Sequence, residues 1–383
     1  MGASIIADTR VQHGSLSLAD TVASVTLTGV VSSPGANEYI IPSDITKAWI
    51  IIKSVGGWTD GGQGEFGGGM DRNTVNITNP ENLLTSITFT RSASINALNF
   101  TWEIIEYTGS AGGVNEFKVL GVESLATAAA TATVNSSAWT PAVDADVVCF
   151  STSQSSDTAI RTEVAEAAFT LEWNSTSNYV TATRDVSVRA ATVSVAAVEF
   201  TGSNWTIQRW PHSITAADAD ETEAITAVSA LTEAFLHVQH RAGSSVDANN
   251  GGFKAWLSST SQITYNVANS STSHDVVAWV IENPDLVVEH LNGTWATSGT
   301  DPDTLGVTVN AVTMAETTIQ GEGSTFTGTT SDSHQTMLGL QLTSNTNVNL
   351  TRGVSDEDRI YRFSVVQLPT AAGGASALLL LDS

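Results

Sequence analysis

The first residues able to do chemistry are His13 and Gly14, in the stretch RVQHGSLSL (10–18). Two phrases echo it, IQRWPHSI (207–214) and VEHLNGTW (288–295), which gives His13 and His290 nearly corresponding places. A position that returns along a chain serves the repeated structure before it serves a reaction, so both histidines are read as architectural. His237 and His240 lie three apart in AFLHVQHR. On a strand that spacing points them to opposite faces, so they make poor joint metal ligands. In TAADADETE (215–223), Asp218, Asp220, Glu221 and Glu223 crowd together. Hard cations want several oxygens, and calcium is the ion such a loop would take. The stretch lacks the glycine of the twelve-residue calcium loop, so its first reading is a solvated charged turn. No other cofactor is implied. TSGTDPDT (297–304) is a weaker version.

Other chemistry finds less to work with. The Gly-rich segment 56–73, GGWTDGGQGEFGGGMDRN, lacks the Lys that a phosphate-binding loop requires. Its Trp58, Phe66 and Met70 could instead present a contact surface to a partner or ligand. No G-x-S-x-G elbow occurs. Cys149 is the single cysteine, and DVVCFST reads as a strand in which it is a small buried hydrophobe. Glu106, Glu199, Glu282 and Gln367 recur at the ends of hydrophobic runs, as Arg91, Arg184 and Arg352 recur after polar ones. A Gln in the fourth copy cannot act as an acid, so the recurrence speaks for fold. Within one unit Arg91 and Glu106 sit at opposite ends of a hairpin and should not pair. The chain is read as non-enzymatic.

The elements that carry these residues repeat. LLTSITFTR (83–91), LEWNSTSNYVTATR (171–184) and LQLTSNTNVNLTR (340–352) share a polar strand ending in Thr-Arg, and WLSSTSQITYNV (256–267) keeps its Ser-Thr core. Each is followed by a hydrophobic strand: FTWEIIEY, VSVAAVEF, VAWVIENP and RFSVVQLP. Each is preceded by another: KAWIIIKS, DVVCFSTS, AFLHVQHR and STFTGTTS (324–331). Ile87 and Phe89 alternate with Thr88 and Thr90, as a half-buried strand requires. AWIIIK is apolar on both faces, the pattern of a central strand covered on both sides.

Five or six short strands per unit, separated by Gly, Asn, Asp and Ser turns, predict an all-β chain of four tandem small β-sandwich modules of immunoglobulin-like type. The expected division is an N-terminal extension 1–9, modules at 10–108, 109–201, 202–284 and 285–369, and a tail 370–383. The opening phrase becomes the first strand of a module, over Val11 to Leu18.

Composition narrows function. A net charge of −24 with only 15 basic residues argues against nucleic acid and anionic membranes as partners. MGASIIADTR has no basic n-region and no long apolar stretch, so a chain starting at this Met would be made in a cytoplasm without a signal peptide. After Pro369, an Ala/Gly hinge leads to Leu378, Leu379, Leu380 and Leu381, a run expected to be an assembly contact.

These phrases, VQHG and IQRW as openings and WEIIEY and VAAVEF as closing strands, resemble a group of tandem-repeat tailed-phage virion proteins. In that group, modules open on a Val-Gln-Arg-Gly-type phrase and close on a Trp-x-Val-Val-Glu-Phe-type strand. The resemblance spans nearly residues 9 to 369, although the Gly after the basic position is kept only at Gly14. It implies a structural protein located in the virion, in capsid decoration, a head fibre or a tail fibre, with itself and other virion proteins as partners. The alternatives are a glycan-binding adhesin or fibre using Trp58, Trp205 and Trp295 on a cell-surface glycan, and a subunit of an extracellular filament.

Overall fold

A computed structural model describes residues 8–19, 22, 24–56, 74–91, 98–156, 168–185, 187, 190–214, 220–242, 253–267, 273–296, 303–326, 339–352 and 358–369. The protein is all-β: apart from one-turn 3-10 helices, every described element is a strand. Trp58, Phe66, Met70, Asp218 and the Leu378–Leu381 run lie outside the described residues.

Strands β1 (Thr9–Leu18), β2 (Ser24–Val30), β3 (Glu38–Ile40), β4 (Ala48–Gly56), β5 (Thr74–Ile77), β6 (Ser86–Arg91) and β7 (Leu98–Tyr107) form the first set. The second holds β8 (Lys118–Thr127), β9 (Thr133–Asn135), β10 (Val147–Ser156), β11 (Thr170–Asn174), β12 (Tyr179–Thr183) and β13 (Ala191–Glu199). The third holds β14 (Thr206–Ile214), β15 (Glu221–Ala224), β16 (Ala234–Ala242), β17 (Phe253–Ser259), β18 (Gln262–Val267) and β19 (His274–Glu282). The fourth holds β20 (Val287–Trp295), β21 (Asp303–Thr308), β22 (Thr317–Phe326), β23 (Gly339–Ser344), β24 (Asn347–Arg352) and β25 (Arg359–Gln367). In every set the closing strand lies between the opening strand and the long strand after the 3-10 turn, giving orders β1-β7-β4, β8-β13-β10, β14-β19-β16 and β20-β25-β22. The remaining strands form the facing layer, ordered β2-β6-β5, β9-β12-β11, β15-β18-β17 and β21-β24-β23.

The phrase RVQHGSLSL is therefore strand, paired with β7 from Thr9↔Tyr107 to Leu18↔Leu98. Gly14 is required there by close approach: a Cβ at this position would stand 2.1 Å from the Trp102 indole. In the fourth set the long strand starts at Thr317, not within 324–331, so the expectation of STFTGTTS caught only its end.

Alternation divides the closing strands between two cores. Phe100, Trp102 and Ile104 of β7 fill the sandwich interior of the first set. Ile105 and Tyr107, on the opposite face, join a core shared by all four sets, with Trp49, Phe150, Phe235, Trp279 and Val366. AWIIIK is buried on both faces for this reason, yet β4 stands at the edge of its sheet rather than in the middle. A second layer of packing, not a second strand neighbour, covers it. Burying one such Trp or Phe is worth roughly 1.5–3 kcal/mol, and the shared core concentrates aromatic contacts: Trp49 lies 5.2 Å from Phe117 and 5.3 Å from Phe150.

Contacts between sets close on themselves. Each opening strand touches the 3-10 turn of the set before it, β8 on Ile45–Lys47, β14 on Asp144–Asp146 and β20 on Leu231–Glu233. The first strand, with no set before it, touches Met314–Glu316 of the fourth. The loop is fastened where Thr9 Oγ1 donates to Pro369 O at 2.9 Å.

Candidate assembly site at the joints between strand sets

The recurring acids have one shared task. Glu106 Oε1 accepts from the Ser43 N–H and hydroxyl, both at 2.7 Å. Glu199 Oε1 accepts from Ala142 and Val143 N–H at 2.7 Å. Glu282 Oε1 accepts from Ser229 N–H at 2.6 Å, and Gln367 Oε1 from Thr313 N–H at 3.1 Å. Every donor lies just before a 3-10 turn, where a loop has backbone N–H groups to satisfy. Only an acceptor oxygen is needed, which is why Gln serves in the fourth set. Among the described residues Glu106 pairs with Arg10, from the neighbouring strand; the Arg91 side chain lies outside them. Of the recurring arginines, Arg184 is fully buried and binds the Thr131 and Ala128 carbonyls at 3.1 Å, another structural use.

His13 and His290 occupy equivalent positions. His13 Nε2 meets Met314 O, and His290 Nε2 meets Leu231 O, both at 3.0 Å and both at the first residue of another set's 3-10 turn. The second ring nitrogen differs. His290 Nδ1 faces Ser364 Oγ at 2.8 Å. His13 Nδ1 faces Glu103 Oε1 at 3.3 Å. Glu103, 3% exposed, also lies 3.3 Å from Lys53 Nζ and accepts from Thr318 Oγ1 of the fourth set at 2.5 Å.

Burial alone would push the Glu103 carboxyl up, but the Lys53 ammonium and the His13 and Thr318 bonds hold it at about 2. Burial would lower the His13 imidazole. The Glu103 bond and charge and the Met314 carbonyl outweigh that, raising it against opposition from Lys53.

A carboxamide ties the turns between sets. Asn115, fully buried, accepts at Oδ1 from Asn204 and Asn283, each at 3.1 Å. Its Nδ2 donates to Asp285 at 3.1 Å and Asp8 at 3.3 Å. All four hydrogen-bonding capacities of the amide are used, on groups from the chain entry and from the turns after the second and third sets.

The remaining candidates resolve as follows. Glu221 and Glu223 flank His212, whose two ring nitrogens lie 3.1 Å from one carboxylate each, and Asp220 accepts from Asn266 at 2.8 Å. The described acids of that loop, Asp220, Glu221 and Glu223, are thus each directed at a protein group. The His212 imidazole lies between the two glutamates. His237 lies tilted against Phe150 in the shared core, and His240 stacks on Phe253 in the third set's interior, on opposite faces of β16. Trp205 and Trp295 are buried, at 9% and 6% exposure, and neither offers a face to a glycan. Cys149 is buried, and desolvation pushes its thiol up to about 12.

Sequence reasoning missed Glu103, Lys53 and Asn115. The available signal was a second acid, Glu103, inside the apolar run FTWEIIEY and a lone Lys closing AWIIIK, charges that a buried strand keeps only when they are paired. No protein-family model matches the chain, and no curated protein matches it significantly.

Proposed function

We propose that this chain is a non-enzymatic structural protein of a phage virion, part of a capsid decoration, head fibre or tail fibre, assembling with itself and with other virion proteins. The observation that carries the reading is the use of the recurrent polar residues. Glu106, Glu199, Glu282 and Gln367 bind loop amides within their own sets, and His13 and His290 bind turn carbonyls of a neighbouring set, so the repeated polar residues are engaged in fixing the turns and joining the sets. Each set acts as one β-sandwich module of a building block.

A strongly acidic surface keeps such a block soluble and repels nucleic acid. Assembly runs through module surfaces and the segment after Pro369. Mass spectrometry of purified particles tests the placement: the protein is expected among the virion components, and its absence from every particle would overturn the reading. Truncation after Pro369 tests the tail, since normal assembly of the shortened chain would remove it as a contact.

A further inference from the structure

Where the third and fourth sets meet, β17 pairs with β22 and one sheet runs across the joint. One row of that sheet reads Asn266, Lys254, Gly323, Arg362, Asn292, each residue directly opposite the next. Opposite residues share a face, so Lys254 and Arg362 stand on the same side, two strand spacings or roughly 10 Å apart at the backbone. Trp256, two residues beyond Lys254 on β17, shares that side. The Arg362 guanidinium nevertheless lies over the Trp256 ring, 3.8 Å from its centroid. Its side chain therefore crosses β22, and the row crosses β22 at Gly323, which has no side chain to block it. The fold thus brings a cation of the fourth set up to a cation of the third.

We propose that Lys254 and Arg362 form a binding site for a small dianionic oxyanion, a phosphate or sulfate group, held across this joint. Stacking on the indole accounts for Arg362. It does not account for Lys254. That residue is 7% exposed yet makes no hydrogen bond or ion pair among the described residues, in a chain with 39 acids. Burial, and then the Arg362 charge, push its ammonium below the ordinary lysine value. Asp220 opposes them, but it is exposed and bonded to Asn266 at 2.8 Å. The Lys254 stem is what is buried, while the ammonium reaches solvent and can be approached.

Lys supplies a point charge, and a stacked Arg bonds through the edge of its fork, a combination suited to an oxyanion. Two positive charges match a dianion better than a monoanion. The net charge of −24 does not forbid this, because charges beyond about 8 Å are largely screened at physiological salt. It does disfavour long polyanions, whose further charges would meet an acidic surface. The site does not depend on virion placement.

The test is isothermal titration calorimetry on the full chain in a low-salt chloride buffer at neutral pH. The probes are sulfate, inorganic phosphate and methyl phosphate, with dimethyl phosphate and acetate as singly charged comparisons. Sulfate and phosphate are expected to bind saturably at one site, and the singly charged probes at least about tenfold more weakly. Methyl phosphate separates two sources that both support the proposal: binding as tight as inorganic phosphate assigns the site to a phosphate ester, weaker binding to the free ion. Lys254→Met keeps the buried stem and removes the charge. It should lower sulfate affinity at least about tenfold, the size of one lost hydrogen bond to a charged group. Arg209→Ala, in an exposed pair elsewhere, should leave that affinity unchanged. No saturable binding of either dianion, sulfate affinity unaltered in Lys254→Met, or acetate binding as tightly as sulfate would each overturn the proposal. Should Lys254→Met fail to fold, Arg362→Gln decides by the same measure.

Discussion

His13 and His290 grip the same backbone feature with different second hands. At the joint between the third and fourth sets, His290 bridges the Leu231 carbonyl and the Ser364 hydroxyl. At the joint between the fourth set and the first, His13 bridges Met314 O and a buried Glu103–Lys53 ion pair. The preceding joint also has covalent continuity and strand pairing between β17 and β22. The closing joint has no such peptide link and, among the described residues, no strand pairing. The difference teaches that a charged network stands where the chain supplies no peptide link, and its geometry ties set one to set four through side chains over 200 residues apart.

Removing Glu103 should separate the two joints most. Glu103→Ala leaves Lys53 buried without its acid and is expected to cost about 3–5 kcal/mol, against about 0.5–1.5 kcal/mol for Ser364→Ala, read by urea unfolding. Equal losses would mean that the charged network adds nothing special. Next in size is the loop-holding acid. Glu106→Ala leaves the Ser43 amide and Arg10 without their acceptor and should cost about 1.5–3 kcal/mol, while Gln367→Ala, losing a neutral bond, should cost about 1 kcal/mol. Glu282→Gln should be nearly silent if an acceptor oxygen is all the position requires; a loss as large as that of Glu282→Ala would show that its charge matters.

Acidity sharpens the comparison further. Glu103 is held at about 2, below its ordinary 4.5, so its contribution is present above 4.5 and lost as pH falls toward 2. His13 is raised above 6.5, so its contribution is complete below 6.5 and lost as pH rises through the raised value. The closing joint should be firmest between those limits. The urea midpoint of the wild type should fall as pH rises from 6.5 through the raised His13 value, and that fall should shrink in His13→Gln and persist in His290→Gln. The smallest effect belongs to the exposed Arg209–Glu172 pair at 2.6 Å, where Arg209→Ala should cost under about 1 kcal/mol and the loss should fade in salt.

Strands were legible wherever one face met a core and the other met water. Ile87 and Phe89 are fully buried while Thr88 and Thr90 are half-exposed, as alternation required. The start of β22 was harder to read because its buried face is polar. Thr318 and Gln320 are 1% and 5% exposed and turn toward the Glu103 network, so TTIQGEG carries no apolar stripe. His13 could be placed on a strand by its echo in VEHLNG, but its partner could not. Met314 lies 301 residues away and contributes a backbone carbonyl, a group every residue has. The hub at Asn115 was hidden likewise, since one amide in an Asn-rich chain looks like any other until the turns converge on it.

Closure of the four strand sets is tested most directly by a distance across the closing joint. Cys149 is fully buried and hard to label, so Ser17→Cys and Thr343→Cys, at exposed positions on β1 and β23, can carry a clean pair of spin labels. Double electron–electron resonance should give one short, narrow distance, which broadens in Glu103→Ala. A long or broad distribution in the otherwise unaltered chain would contradict closure of the first set on the fourth.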